Sequence, residues 1–363
     1  MSNNRSWSPS INRREFLRWL GAGAGLLLTS GWLNACAPAV SSTPAPTATK
    51  AAGKIAIYSA LTDAANKQLY AAFQSANPDA QIINLRTAAP GDLQTRIRNE
   101  RESPTAAIFL GGESAFHDGL AREGLLEKYV SPNAEKIAPT FRHPQGFWTG
   151  WSLAVFSFAL NADRFAKEMT GVKSPATWDD LLDPAWKGKL VLPDPMRNVG
   201  GYVFLATQVF RFNRDEGKAM EYMKKLNLNI AQYVRNAAEG IKLVAQGKSV
   251  GFPAWRYEIL DEKAKGTPIE LITPENSSYE IAAVSILKDA PNATGARAFV
   301  DWLLMKDAGE LMVKLSNRIS VLKEVAPPPG ALTLEQMKLV NYDRQWAAEN
   351  KDRLLKLWQK AIK

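Results

Sequence analysis

Residues 148–160 read WTGWSLAVFSFAL, and residues 279–287 read YEIAAVSIL. Both are long apolar runs rich in aromatic and β-branched residues. Neither carries the three-and-four spacing of a helical stripe, so each is expected as an extended strand buried on both faces. Around them, short apolar runs alternate with amphipathic stretches, the pattern of a largely parallel sheet covered by helices. Two long crossings between two such units predict an α/β protein of two lobes. Residues 53–155 and 280–320 would build lobe 1, and residues 156–279, inserted between the crossings, lobe 2.

Within lobe 1, Lys54–Tyr58, Gln81–Leu85 and Ala106–Leu110 read as strands separated by helices. Thr62 is placed to cap the first helix, whose Ala65, Leu69, Ala72 and Phe73 recur on one face. Lobe 2 is expected to hold a capped helix at Thr177–Leu182 and a strand at Lys189–Leu192. Helices follow near 201–212, 214–226 and 237–246, with short strands at Ser249–Phe252 and Pro268–Ile272. Helices near 293–305 and 308–315 return to lobe 1. Residues 321–363 form a C-terminal loop and helix: Pro327-Pro328-Pro329-Gly330 excludes helix, and Leu334–Lys363 is amphipathic and expected as one long helix.

The chain of 363 residues carries a net charge of +9, which invites a nucleic-acid reading until the charges are located. Four Arg and one Glu fall in residues 1–35, and five basic residues and one Asp in 351–363, so seven of the nine net charges sit at the two ends. Nucleic acid is therefore not expected as a partner. Arg13 and Arg14 stand before Phe16-Leu17 and an apolar run from Trp19 to Leu33, which resembles a twin-arginine export signal. That run is too short to span a bilayer as a helix. It ends in Leu33-Asn34-Ala35-Cys36, similar to a bacterial lipobox, so residues 1–35 are expected as a signal peptide and Cys36 as a lipidated N-terminus. Residues 36–52, rich in Pro, Ser, Thr and Ala, read as a flexible linker. These features predict an extracytoplasmic protein, in the periplasm or at the cell surface, anchored to the membrane by lipid. One Cys and two distant His exclude an internal disulfide framework and thiolate-rich zinc sites.

Catalytic signatures are missing: there is no Gly-x-Ser-x-Gly, no His-Glu-x-x-His and no phosphate loop. Ligands of such sheets lie outside the carboxyl ends of the strands. Ser59 ends the first strand, Gly112, Glu113 and Ser114 follow the third, and Asn198 and Gly200 follow the first strand of lobe 2. Each stretch precedes a helix, whose N-terminus offers open N–H groups and partial positive charge to an anion. Trp148, Trp151 and Trp255 lie beside the crossings or a cleft strand and are candidate pocket walls. Arg256 is placed to grip a carboxylate or phosphate with a forked pair of hydrogen bonds. Glu275, Ser278 and Tyr279 complete the candidate binding set. An enzymatic reading would use Glu113, Asp194 or Glu275 as acid and base.

A resemblance rests on short motifs in a fixed order: Ile108-Phe-Leu-Gly-Gly112, Gly124-Leu-Leu-Glu127, Gly146-Phe-Trp-Thr-Gly150, Trp178-Asp-Asp-Leu-Leu182 and Trp186-Lys-Gly-Lys189 with Asp194-Pro195. Tyr279-Glu-Ile-Ala-Ala-Val284, Phe299-Val-Asp-Trp-Leu303 and the stretch from Tyr342 to Arg353 continue it. With these the chain resembles extracytoplasmic solute-binding proteins of ABC importers, in the iron(III)-type branch. The resemblance implies a type II periplasmic-binding-protein fold that closes on a solute about two hinge strands, as a monomer without cofactor. It further implies delivery to a membrane permease driven by an ATPase. Ferric-ion binders of this branch typically use two adjacent tyrosines, and none of the nine here is adjacent to another. Relatives that take phosphate-bearing solutes often carry His-Asp near Trp255-Arg256, which this chain also lacks. The helix N-termini and Arg256 favour a small anionic organic solute, phosphonate or sugar-phosphate like. Ferric iron or a ferric chelate is the alternative, and an enzyme on the same scaffold the second alternative.

Overall fold

The computed structural model describes residues 51–362. The export motif at Arg13 and Arg14 and the lipobox at Cys36 lie outside the described residues. The chain opens with β1 (Gly53–Ser59), α1 (Asp63–Ala76), β2 (Ala80–Thr87), α2 (Pro90–Asn99), β3 (Ile108–Glu113), α3 (Ser114–Arg122) and β4 (Thr149–Asn161). The inserted region holds α4 (Ala162–Glu168), β5 (Leu190–Pro193), α5 (Val199–Arg211), α6 (Glu216–Asn227), β6 (Ile230–Val234), α7 (Ala237–Ala245), β7 (Gly251–Trp255), α8 (Arg256–Lys263) and β8 (Ile269–Ile272). Then follow β9 (Tyr279–Ile286), α9 (Ala293–Leu303), α10 (Lys306–Ser316), β10 (Ile319–Ser320), α11 (Arg344–Glu349) and α12 (Lys351–Ile362).

β4 is buried at all 13 positions, and its pairing explains why. Thr149 to Val155 pair antiparallel with β9, and β10 lies on their other side at Ser152 and Leu153. Phe156 to Asn161 pair instead with β7 on one side and β8 on the other. One strand is thus interior to two sheets, ordered β2-β1-β3-β9-β4-β10 and β6-β5-β7-β4-β8. The chain from β8 through β9 runs antiparallel beside it across the same boundary. Each sheet is packed on both faces. In lobe 1, Leu69 and Phe73 of α1 join Phe299 of α9 on one face, and Leu93 and Leu120 cover Phe109 on the other. In lobe 2, Trp178, Trp186 and Phe204 fill one face, and Val244 and Ile259 cover Phe252 on the other.

Four local expectations need correction. Trp178–Leu182 is a 3-10 turn, because the Asp180 carboxylate draws the Ala176 and Thr177 N–H groups into a tight cap. β6 was not anticipated: it is a half-exposed edge strand with no continuous apolar run. Nor was α8, whose only buried residues are Arg256 and Ile259, too few for an apolar stripe. The long C-terminal helix is in fact two short ones, beginning at Arg344. The preceding residues run extended beside the hinge, where Asn276 N–H donates to Lys338 O and Val340 N–H to Ser277 O. Met337 packs in the core of lobe 1 while Val340, Leu354 and Trp358 pack in that of lobe 2. This C-terminal segment is therefore a third crossing.

Candidate functional site

β1 and β3 in lobe 1, and β5, β6 and β7 in lobe 2, are parallel within their sheets. Their carboxyl ends bring the chain to the edge of each lobe near the crossings. In lobe 2 that edge encloses a cavity of about 310 Å³, lined by Phe156, Arg197, Asn198, Val199, Gly200, Phe252, Trp255, Tyr257 and Glu258 among others. Three expected residues, Asn198, Gly200 and Trp255, converge here. Asn198 caps α5 by accepting the Gly201 N–H, which leaves the N–H groups of Val199 and Gly200 in the first, unpaired turn of a 13-residue helix. A Cβ on Gly200 would come within 3.3 Å of the Phe156 ring, so the bare glycine keeps this wall open. Gly201 instead seats the helix on β5, since a Cβ there would lie 2.5 Å from Pro193 O. The Phe156 and Trp255 rings meet edge to face at 5.0 Å and form an apolar floor.

Tyr257 and Glu258 complete the cavity and were not anticipated, because both lie on the unrecognised α8. Their one sequence signal is the Glu three residues after Trp255, the spacing of a helix-capping carboxylate. Glu258 does accept the Trp255 N–H, at 3.2 Å. Burial pushes the Glu258 carboxyl up to about 7, against the opposing effects of that N–H and of Arg318. Burial likewise raises the Tyr257 phenol to about 12, with the charges of Glu258, Glu113 and Asp261 adding to the rise and Arg318 opposing it. Glu113 itself is half-buried at the N-cap of α3 in lobe 1.

The other expected residues are placed elsewhere. Arg256, the expected anion grip, is 1% exposed and does not line the cavity. Its guanidinium lies under the C-terminal crossing, donating to Leu332 O at 3.3 Å and lying against Met337 Sδ. Burial without a charged partner lowers it to about 10. Trp148 is bonded to Asp118 and lies at the start of β4. Trp151 donates to Ala283 O inside the lobe 1 core. Ser278 is fully buried and bonded to Thr207. Tyr279 lies beneath the Arg344 guanidinium and edge-on to Phe141, and Glu275 pairs with Lys338 at 2.6 Å. None of these six lines the lobe 2 cavity.

In lobe 1 the edge is closed on itself. Ser59 is fully buried, donates to Asn66 and accepts the Leu61 N–H, while Asn66 donates to Thr87. Gly111 and Gly112 adopt positive φ, where glycine is unstrained, and a Cβ on Gly112 would strike Pro90 at 2.8 Å. His117, stacked on Phe109, is held by Ser285 and Gly111 O, and burial lowers it to about 4. Ser114 is buried at the start of α3.

Among the described residues no group of three or more His, Cys, Asp or Glu is arranged to hold a metal ion, and no helix is long and apolar enough to cross a membrane. A second hollow, of about 340 Å³, lies at the far end of lobe 1 beside Leu287, lined by Glu100, Arg101, Glu123 and Lys288. It is remote from the crossings.

Comparison with known proteins gives concordant results. The family described as bacterial extracellular solute-binding protein matches residues 103–345. An uncharacterised protein of Haemophilus influenzae is 30% identical over 323 residues, 86% of this chain and 92% of its own length. Iron uptake protein A2 of Synechocystis sp. is 24% identical over 70% of this chain and 76% of its own. The solved structure of the periplasmic binding protein AfuA from Actinobacillus pleuropneumoniae, with fructose-6-phosphate bound, superposes with a TM-score of 0.66 at 28% identity, covering 85% of this chain and 98% of that one.

Proposed function

The chain belongs to the bacterial extracellular solute-binding protein family, and from that premise we propose that it captures a small anionic organic solute between its lobes and delivers it to the permease and ATPase of an ABC importer. The observation that carries this reading is the lobe 2 cavity, where the open first turn of α5 meets an aromatic floor. A phosphonate or phosphate group would accept the Val199 and Gly200 N–H groups, favoured by the helix dipole and by Arg197 at the same wall. Phe156 and Trp255 would take the apolar or sugar portion. Similarity to AfuA, solved with a sugar phosphate, supports the choice.

Lobe 1 would then close over the filled cavity by rotation about the crossings. Transport needs no covalent step, and the three carboxylates of the enzymatic reading each stand in a different setting. Glu275 is paired with Lys338, Asp194 is bonded to the Met196 N–H and Arg197 of its own turn, and Glu113 belongs to the opposite lobe. The ferric alternative would need several hard oxygen donors, and among the described residues Tyr257 is the one phenol lining the cavity. Export by the twin-arginine route and attachment through Cys36 would place this monomeric binder at the membrane that houses its permease.

Melting the full chain with fructose 6-phosphate, 2-aminoethylphosphonate or ferric citrate tests the reading. Ligand at one hundred times Kd stabilises the fold by about 2.7 kcal/mol. A rise with either phosphorus compound supports the anionic solute, a rise with ferric citrate alone supports the alternative, and no rise with any of the three overturns the reading.

A further inference from the structure

α8 touches three parts of the molecule at once. Its first turn supplies Tyr257 and Glu258 to the cavity. One turn further on, Asp261 Oδ1 accepts a hydrogen bond from Asn317 Nδ2 at 2.6 Å. Asn317 is the left-handed C-cap of α10, and the next residue, Arg318, places its guanidinium 4.8 Å from the centre of the Tyr257 ring. Both lie directly before β10, which pairs with the lobe 1 half of β4. The two contacts therefore join opposite lobes beside the β4 crossing, since β10 pairs at Ser152 and Leu153 and Trp255, just before α8, pairs at Phe156, and they do so through side chains that belong to neither core. Among the described residues Arg318 forms no ion pair. Its hold on lobe 2 is the Tyr257 ring face, near the carboxylates of Glu258 and Asp261.

We propose that Asp261, Asn317 and Arg318 form an interlobe clasp that sets ligand affinity without touching the ligand. A solute settling against Tyr257 and Glu258 fixes the first turn of α8. A short helix transmits that position to Asp261 and to the Tyr257 ring on which Arg318 rests. Ligand and clasp thus favour the same closed arrangement, and weakening the clasp lowers the fraction of molecules ready to hold any solute. Apparent affinity falls by that fraction, equally for chemically different ligands. The inference rests on the proposed closing of the lobes and is independent of which solute is carried.

The test uses the full chain with Cys36→Ser, spin-labelled at Lys67→Cys in lobe 1 and Lys187→Cys in lobe 2, both exposed. Two variants attack the clasp from either side. Asp261→Ala removes the acceptor, and Asn317→Asp opposes two carboxylates while keeping a residue that tolerates the left-handed region. Without ligand, each variant is expected to shift the label-to-label distances toward longer values at an unchanged melting temperature. With fructose 6-phosphate and 2-aminoethylphosphonate as probes, whichever binds should lose about tenfold in affinity, by the same factor for both if both bind. Arg318→Ala should shift the distances in the same direction. Unchanged distances in both clasp variants would overturn the clasp, whether or not either probe binds. A loss confined to one of two bound probes would overturn it too, by showing direct contact. Binding of neither probe by the parent chain would count against the anionic-solute reading, while the distances still decide the clasp.

Discussion

The two cleft edges are built from the same parts, strand ends leading into helix N-termini, yet they differ in what those parts have left to offer. Along lobe 1, Ser59, Asn66 and Thr87 are bonded in one chain and His117 to Gly111 O in another. Along lobe 2, the first turn of α5, the Trp255 ring, the Tyr257 phenol and the Glu258 carboxylate surround a cavity. A group already satisfied inside the protein gains little from a ligand, because a new hydrogen bond only replaces an old one. The solute is therefore expected to dock on lobe 2, with lobe 1 as a preformed cover.

The largest break in that contrast is expected from Gly200→Asp. A carboxylate at the start of α5 suits the helix dipole, so the fold is expected to hold, while its charge and bulk occupy the anion position. Affinity for a phosphate or phosphonate probe should fall about 100-fold, roughly 2.8 kcal/mol, as read by calorimetry. The opposite pattern is expected from Asn66→Ala in lobe 1. Loss of the Ser59 and Thr87 partners should cost about 1–3 kcal/mol of stability in urea unfolding, with affinity per folded molecule unchanged. Arg256→Met sharpens the comparison from a residue that sequence alone assigns to the ligand. Replacing an unpaired buried guanidinium by an apolar side chain of similar length should leave ligand affinity within about twofold and stability unchanged or higher. A large loss of anion affinity would return Arg256 to the site.

The smallest effects are those of pH, and the two edges carry opposite signs. His117 resists protonation down to about 4, so its contribution to stability is fully present above the unfolded value of 6.5 and is lost as pH falls toward 4. Glu258 has a folded value raised from 4.5 to about 7 by burial, so its contribution to stability is lost as pH rises through that window. Glu258→Gln should flatten the upper part of the profile, while His117→Gln should flatten the lower part. Urea midpoints between pH 4 and 8 check both.

The crossings were legible because a strand interior to two sheets must be apolar at every position, and β4 is. The first helix cap was legible for a similar reason: Thr62 stands before α1 and accepts the Ala65 N–H as a cap does. What composition could not convey was direction. Trp148 and Trp151 neighbour a crossing in sequence, which points to the pocket, but at ~3.3 Å per residue Trp148 lies roughly 25 Å along the strand from Phe156, where β4 changes sheets. Arg256 follows the cleft strand directly, yet the chain turns there into α8, and one residue of helix rotation carries its side chain under the C-terminal crossing while Tyr257 and Glu258 reach the cavity. A helix with two buried residues leaves almost no periodic trace, so the element that lines the site and grips the other lobe was the one least visible.

The third crossing bears on how the lobes can move. Two adjacent antiparallel strands form a ribbon that can twist as readily as it bends. Leu339 lies beside Ser277 as a further line of attachment, and Arg344 ties the same segment to Glu280 and the Tyr279 carbonyl. A plate held along three lines keeps its freedom to swing and loses most of its freedom to shear. The rims of the lobes should then meet in the same alignment at every closure, giving a receptor at the membrane one shape to recognise whichever solute is inside.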